Sequence, residues 1–508
     1  MPGARGLRDG ASARATPRAR GFPDGAVARG AEEVGSLVDA AGTMAEVRSR
    51  REGTPEAGAT EAAGGFTTWT LTTLALGTVV GGSFFLGSAI AIRAAGPASL
   101  VAFLLGGALV YIILSALSEM TVADPTPGAF RTYAERAYGP WAGFVVGWVY
   151  WTGLALAMSS EATAVAVLLR GWVPWLGQPA LATLIVLAVT GVNLLGTGLL
   201  ARLEAGLAGV KVLAILAFIG LGLAVIAGWV AGRPALGLGA LAGAPLLPHG
   251  IGGLLGSMLI VMFSYAGFEI IGLAAPQARD PHRTVPRAIL WTTLGLAGLY
   301  TAAVAVLLHL VPTESLTPEV SPLVAGLRAG GLGWAAGAVG AVLVVAILST
   351  MLAALFGLGQ MVRSLAEEGH GPAWLREESD YPRRGILLSA GAMLAGVSLS
   401  YLLPRQVYLF LVSSGGFSLL FVYAVILATH LRHRRTVGCP PRGRCQLPGY
   451  PYTTWAALVA VVAILLGMPL VPGQGAGLAA GLLLVALYGL VYRVGAWRGR
   501  GGAGAEAD

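Results

Sequence analysis

From Leu100 to Leu117 the chain runs for 18 residues without a charge, apolar on every face of whatever it forms. A helix apolar all round has no water-facing side, and about 20 such residues cross a bilayer. A membrane β-barrel would instead alternate apolar and polar positions over roughly ten-residue segments. Similar runs recur near 72–95, 97–118, 140–168, 180–199, 205–230, 250–275, 286–311, 333–360, 385–403, 407–429, 453–471 and 475–493. The pattern predicts an all-α polytopic membrane protein with about 12 transmembrane helices. Composition agrees, since 11% of the 508 residues are charged, where soluble domains carry roughly 25%.

Residues 1–70 hold nine arginines, nine acidic residues and no long apolar run. They read as a disordered cytoplasmic tail without a secretory signal peptide. A transmembrane domain follows over 71–495, with helices 1–5 at about 72–230, helices 6–10 at about 250–429 and helices 11–12 at about 453–493, and 496–508 is a C-terminal cytoplasmic tail. A net charge of +8 would in a soluble chain point to nucleic acid, but here the basic residues sit between the apolar runs. With both termini in the cytoplasm, the inner loops and tails hold 27 arginines and the outer loops five: Arg93, Arg170, Arg233, Arg328 and Arg405. That asymmetry follows the positive-inside rule and predicts a multi-pass protein of the cytoplasmic membrane with both termini inside. Cys439 and Cys445 are too few for a zinc site, and no metal or cofactor is expected. Only one lysine occurs in the chain, so there is no P-loop, and no ATPase subunit is implied.

Two spans are interrupted. The first carries Gly77-Thr78-Val79-Val80-Gly81-Gly82-Ser83 and the sixth carries Ser264-Tyr265-Ala266-Gly267 ahead of Glu269. Breaks about five helices apart point to an inverted repeat with a substrate site between its halves. The competing reading is that Gly81 and Gly82 only let helices pack closely. Ionisable residues inside spans are costly and need a partner or a wet cavity; they are Glu161, Glu204, Lys211 and Glu269. Glu204 lies near a span end, where an interfacial role suffices. Lys211 lies some 10 Å inside its helix at about 1.5 Å per residue, and serves either a fixed ion pair or proton exchange. Amides freed near Gly81 to Ser83 suit an anion, and carbonyls freed at the sixth-span break suit a cation. Together they fit a zwitterion, an α-amino acid. The histidines at 249, 282, 370, 430 and 433 sit in or beside loops and read as solvated. Trp69, Trp141, Trp172, Trp175, Tyr450 and Tyr452 read as interface anchors.

These motifs resemble the amino acid-polyamine-organocation superfamily, specifically its amino acid permeases. Gly77 to Phe85 with Gly87-Ser88 and Ala95-Gly96-Pro97 is similar to the family's first-helix pattern. Ser118-Glu119-Met120, Pro127-Gly128-Ala129-Phe130, Glu161-Ala162-Thr163-Ala164, Phe263 to Glu269, Asp280-Pro281 and Thr429-His430-Leu431-Arg432 follow it in order. The resemblance implies a leucine-transporter-type 5+5 inverted repeat plus two helices, working by alternating access. It implies that Val80, Gly81, Gly82 and Ser83 bind a substrate carboxylate. It also implies that Phe263, Ser264, Tyr265, Ala266 and Gly267 bind its amino group, with Phe263 as an aromatic gate. Lys211 matches the lysine of proton-coupled members, so Lys211, Glu161 and Glu269 are the expected proton-coupling residues. Ser83, Leu352, Gln360, Pro276-Gln277 and Tyr423 depart from the family pattern and leave the substrate open.

The expected activity is import of an amino acid by proton symport. An amino acid/amine exchanger and a non-transporting sensor are alternatives. No H-E-x-x-H or paired-histidine motif supports an enzyme.

Overall fold

The computed structural model describes residues 65–503 except Pro125, Pro127, 231–233, Ile270, 273–274, 276–277, Pro318, Glu378, Asp380, 403–406 and 440–446. Only the backbone is described for 197–206, Ala208 and 496–503. Residues 1–64 of the expected N-terminal tail, Arg233, Arg405, Pro276-Gln277, Cys445, the end of the C-terminal tail and the side chain of Glu204 therefore lie outside the described residues.

Sixteen helices carry the argument. They are α1 (Thr68–Val79), α2 (Gly82–Phe85), α3 (Ser88–Ala95), α4 (Ser99–Ala123), α5 (Phe130–Tyr138), α6 (Pro140–Leu169), α7 (Gln178–Leu194) and α8 (Thr197–Ile226), followed by α9 (Gly250–Ser264), α10 (Pro281–Leu310), α11 (Pro322–Ala329), α12 (Gly333–Glu367), α13 (Arg383–Leu402), α14 (Val407–Thr436), α15 (Tyr452–Gly467) and α16 (Gly475–Ala503). Among the described residues no β-strand forms, only an isolated parallel bridge between Phe66 and Ala278. Several starts follow from proline in the first turn, where its missing N–H costs nothing: Pro140 in α6, Pro179 in α7, Pro281 in α10 and Pro322 in α11.

Nine helical stretches among the described residues are long and apolar enough to cross a membrane. Three expected spans are not: the first is split into α1, α2 and α3, the fourth is the 17-residue α7, and the sixth is the 15-residue α9. Side chains such as Leu104, Leu184, Leu213, Leu223 and Leu482, each more than half exposed, cover the outside. Such a surface suits lipid, not water. The centre is α14 and α6, whose apolar windows are 72% and 67% buried, against 11% for α16.

Helix ends differ from the sequence expectation in both directions: α7 stops at Leu194 short of 199 and α9 at Ser264 short of 275, while three others run on. α4 continues past residue 118 to Ala123, α12 past 360 to Glu367, and α14 past 429 to Thr436. Reading spans by apolarity stops at the first charge, yet Glu119 of α4 and Arg434 of α14 pair with each other, Arg363 of α12 pairs with Glu367 of its own helix, and the helices run on. α10 starts at Pro281 rather than 286, and carries Pro286 in its second turn, where the missing N–H leaves the His282 carbonyl without its helical donor.

Candidate functional site

The first-span break is a short extended link. Val80 (φ −72°, ψ 104°) and Gly81 (φ −148°, ψ −168°) separate α1 from α2. Two extended residues interrupt the i→i−4 ladder, so they free carbonyls behind the break and amides ahead of it. Both sets are taken by buried side chains. Gly82 N donates to Glu161 Oε2 at 2.7 Å and Ser83 N to Glu161 Oε1 at 2.9 Å. On the other side, Lys211 Nζ donates to Gly77 O at 2.7 Å and to Thr350 Oγ1 at 2.8 Å. Thr350 Oγ1 in turn lies 3.2 Å from Val80 O. Glu161 on α6 is 3% exposed and Lys211 on α8 is 2% exposed. The Glu161 carboxyl thus holds the amide end of the break and the Lys211 amine the carbonyl end, the side-chain types that each end favours. Gly82 permits this approach, since a Cβ there would stand 2.5 Å from Glu161 Oε2.

The sixth-span break is built differently. α9 ends at Ser264, and Gly267 takes φ +102°, the left-handed region that favours glycine. Its amide donates to Glu269 Oε2 at 3.1 Å. Tyr150 OH donates to Glu269 Oε1 at 2.8 Å, and Tyr423 OH lies 3.4 Å from Oε2. Each break therefore has its own buried carboxylate.

The two breaks meet. Ser264 Oγ donates to Ser83 O at 3.1 Å, and Thr78 Oγ1 reaches Gly267 O at 3.5 Å. Val80, Gly81, Gly82, Ser83, Phe263, Ser264 and Tyr265 are all buried, and Ala266 and Gly267 are half-buried. Tyr265 turns away: its hydroxyl donates to Phe103 O on α4 at 2.9 Å, and its ring packs toward Phe103 and Tyr300. It offers this junction its backbone only. The two segments named from the sequence lie in contact, while Thr350, Tyr150 and the contact between Glu161 and the amides were missed. The adjacent hydroxyls Ser349-Thr350 in an otherwise apolar span were the available signal.

Two further polar clusters lie at helix ends on the side reached by α5 and the end of α14. Glu119 accepts from His430 Nε2 (2.7 Å), Arg434 Nε (2.7 Å), Arg434 Nη2 (2.8 Å) and Leu447 N (2.6 Å). His430 is fully buried, so its reading as solvated is corrected: a helix that outlasts its apolar segment carries it inward to a carboxylate. Tyr450 is corrected too. It packs edge-on against His430 and under the Arg434 guanidinium at 4.7 Å, and is not simply an interface anchor. The second cluster has Arg131, fully buried, donating from Nη1 to Glu368 Oε2 at 2.6 Å and from Nη2 to Ser364 Oγ at 2.9 Å and to Glu368 Oε1. Burial pushes the Glu368 carboxyl up, but the hydrogen bonds and charge of Arg131, with help from His370 and Ser364, outweigh it and hold the group below its ordinary value.

A polytopic helical bundle whose two broken helices meet has the leucine-transporter-type fold. Over 86% of this chain and 96% of the other, it aligns with a single-residue mutant of the Eremococcus coleocola manganese transporter, with a TM-score of 0.51 at 13% identity, which speaks to fold alone. The chain belongs to the amino acid permease family, whose profile matches residues 70–500. It is 35% identical over 413 residues to the probable GABA permease of Pseudomonas aeruginosa, covering 79% of this chain and 86% of that protein. It is 34% identical over 455 residues to the gamma-aminobutyric acid permease of Escherichia coli, covering 86% and 95%. With an aromatic amino acid transport protein of Corynebacterium glutamicum it shares 32% over 420 residues, covering 79% and 89%. It is a multi-pass membrane protein of amino acid transport.

Proposed function

We propose that the chain imports a small zwitterionic amino acid across the cytoplasmic membrane by proton symport and alternating access, with both termini in the cytoplasm. The observation that supports it best is the clasp on the first-span break, where Glu161 holds the Gly82 and Ser83 amides and Lys211 holds the Gly77 carbonyl. In this reading the substrate carboxylate takes the place of the Glu161 carboxylate on the amides of Gly82 and Ser83, next to Val80 and Gly81. The amino group meets carbonyls of the Phe263 to Gly267 segment, with Phe263 closing over it. Two carboxylates cannot share two donors in a buried place, so the displaced Glu161 takes a proton. Lys211 and Glu269 are the further proton-coupling groups. Lys211 leaves the Gly77 carbonyl when α1 moves. Glu269 ties α9 to α6 and α14 through Tyr150 and Tyr423.

The names of the relatives from P. aeruginosa and E. coli make γ-aminobutyrate the first substrate to test. Its carboxylate and ammonium offer the same two ends as an α-amino acid, two methylenes further apart. The test is uptake of labelled γ-aminobutyrate and a panel of amino acids into proteoliposomes, with and without an inward proton gradient. Accumulation that collapses with the gradient is expected. Flux only into preloaded vesicles would mean an exchanger, and saturable binding without flux a sensor.

A further inference from the structure

Near its C-terminal end α14 divides its basic residues between two faces. His430 and Arg434 turn inward to Glu119. Arg432 and Arg435, three residues apart and so on one face, turn outward and are exposed. Neither makes an ion pair with an acidic side chain among the described residues. They line a cavity of about 480 Å³ between the ends of α5 and α14 and the start of α15, together with Tyr138, Leu431, Trp455 and Leu458. The Arg432 guanidinium lies over the Tyr138 ring, 5.3 Å from its centroid. Among the described residues no carboxylate lines the cavity.

The lining is graded along the helix. Arg435 and Arg432 stand at one end, while Leu431 and Ala428 lie as much as seven residues further into the span, about 10 Å at 1.5 Å per residue. Leu458, nearly two turns inside α15, lines the same space, and Trp455, 47% exposed, stands near the start of that helix. Tryptophan in this position marks the headgroup level of a bilayer. Both α14 and the stretch containing α15 are long and apolar enough to cross a membrane.

We propose that this cavity is a binding site for an anionic phospholipid. The two guanidinium groups take the headgroup phosphate, for which their planar donor forks are suited. The Leu431 and Leu458 side chains carry the first part of an acyl chain. A free phosphate would use the arginines and leave the apolar end of the cavity without a role. The site would fasten the ends of α5, α14 and α15 to one leaflet, beside the Glu119 cluster.

The test uses the full chain in neutral detergent, titrated with phosphatidylglycerol or with phosphatidylcholine of the same acyl chains and read by native mass spectrometry. A basic residue at a membrane surface contributes about fivefold in affinity for anionic lipid, so the two predict about a thirtyfold preference for phosphatidylglycerol. Arg432→Gln/Arg435→Gln should bring the two lipids to equal affinity. Arg435→Gln alone should lose about fivefold, and reports on the site even if the double variant does not fold. Equal affinity for both lipids in the unmodified chain, or a preference that survives the double substitution, would overturn the assignment. Displacement of phosphatidylglycerol by millimolar inorganic phosphate would overturn it in favour of a free-anion site. Because the readout needs no substrate, it is independent of the transport reading.

Discussion

Gly82→Ala probes the grip of Glu161 on the first-span break with a single methyl group. The added Cβ would stand 2.5 Å from Glu161 Oε2, 3.2 Å from its Cδ and 3.1 Å from Ile347 Cδ1. Ordinary contact needs about 3.4 Å or more, so the carboxylate must retreat by roughly 1 Å, enough to break hydrogen bonds of 2.7 and 2.9 Å. A hydrogen bond to a charged group contributes about 1.5–3 kcal/mol, so losing most of two costs about 2–4 kcal/mol. If Glu161 holds the resting state and substrate must replace it, Gly82→Ala removes the competitor but also crowds the amides. Uptake should fall by at least about tenfold, and its pH dependence should flatten. Two comparisons isolate the effect. Gly81→Ala meets Thr350 Cγ2 at 3.3 Å and Glu161 Oε1 at 3.6 Å, so it needs only a small shift. Gly298→Ala, inside α10, meets nothing within 4 Å, and alanine in a helix is about 0.5–1 kcal/mol better than glycine. The assay is initial uptake of labelled γ-aminobutyrate in proteoliposomes over a range of external pH. A Gly82→Ala protein that transports at the rate and pH dependence of Gly298→Ala would refute the reasoning.

Lys211→Met should abolish accumulation driven by a proton gradient while leaving exchange between preloaded vesicles; unchanged accumulation would remove the lysine from the coupling. Glu119→Ala leaves Arg434 and His430 buried without their carboxylate, a loss of about 3–5 kcal/mol, and should be seen as a lower melting temperature in detergent, with Arg170→Gln, at an exposed position, as the unaffected comparison. The Arg131–Glu368 pair sets an acid limit on stability. Because the folded carboxyl is held below its ordinary 4.5, the stabilisation is full above that pH and is lost as pH falls through the lower folded value. Glu368→Gln should flatten the acid arm of a melting-temperature profile and lower the neutral plateau; an identical acid arm in both proteins would contradict it. Glu269→Gln should slow transport more than Tyr150→Phe, since the first weakens the ties to Tyr150, Tyr423 and Gly267 and the second only one, and the reverse ranking would displace Glu269 from the coupling set.

The helical class and the positions of both breaks are legible in the sequence because each rests on local chemistry. Uncharged runs cannot face water, and Val80-Gly81 and Gly267 are weak helix formers that fall inside apolar runs. Partners were not legible. Glu161 and Gly82 are 79 residues apart, and only the rotation of α6 about its axis decides that the carboxylate faces the amides. Thr350 was missed for the same reason, since a hydroxyl in an apolar helix is as often bonded to its own backbone, as Thr350 also is to Ala346 O at 3.2 Å. His430 and Arg131 were misjudged or passed over because a charge beside a span reads as the span's end. Their burial depends on Glu119 and Glu368, which come from 311 and 237 residues away. Apolarity marks where helices cross, but not where a paired charge lets them continue.

The most direct test of the account is the number of protons taken up when substrate binds. The protein in detergent is mixed with γ-aminobutyrate in weakly buffered solution and the proton uptake is measured alongside calorimetric binding, for the unmodified chain and for Glu161→Gln. If substrate carboxylate displaces Glu161 from Gly82 and Ser83, binding takes up about one proton and tightens as pH falls, and the glutamine variant takes up none. Binding without proton uptake in the unmodified chain, or the same uptake in Glu161→Gln, would contradict the account.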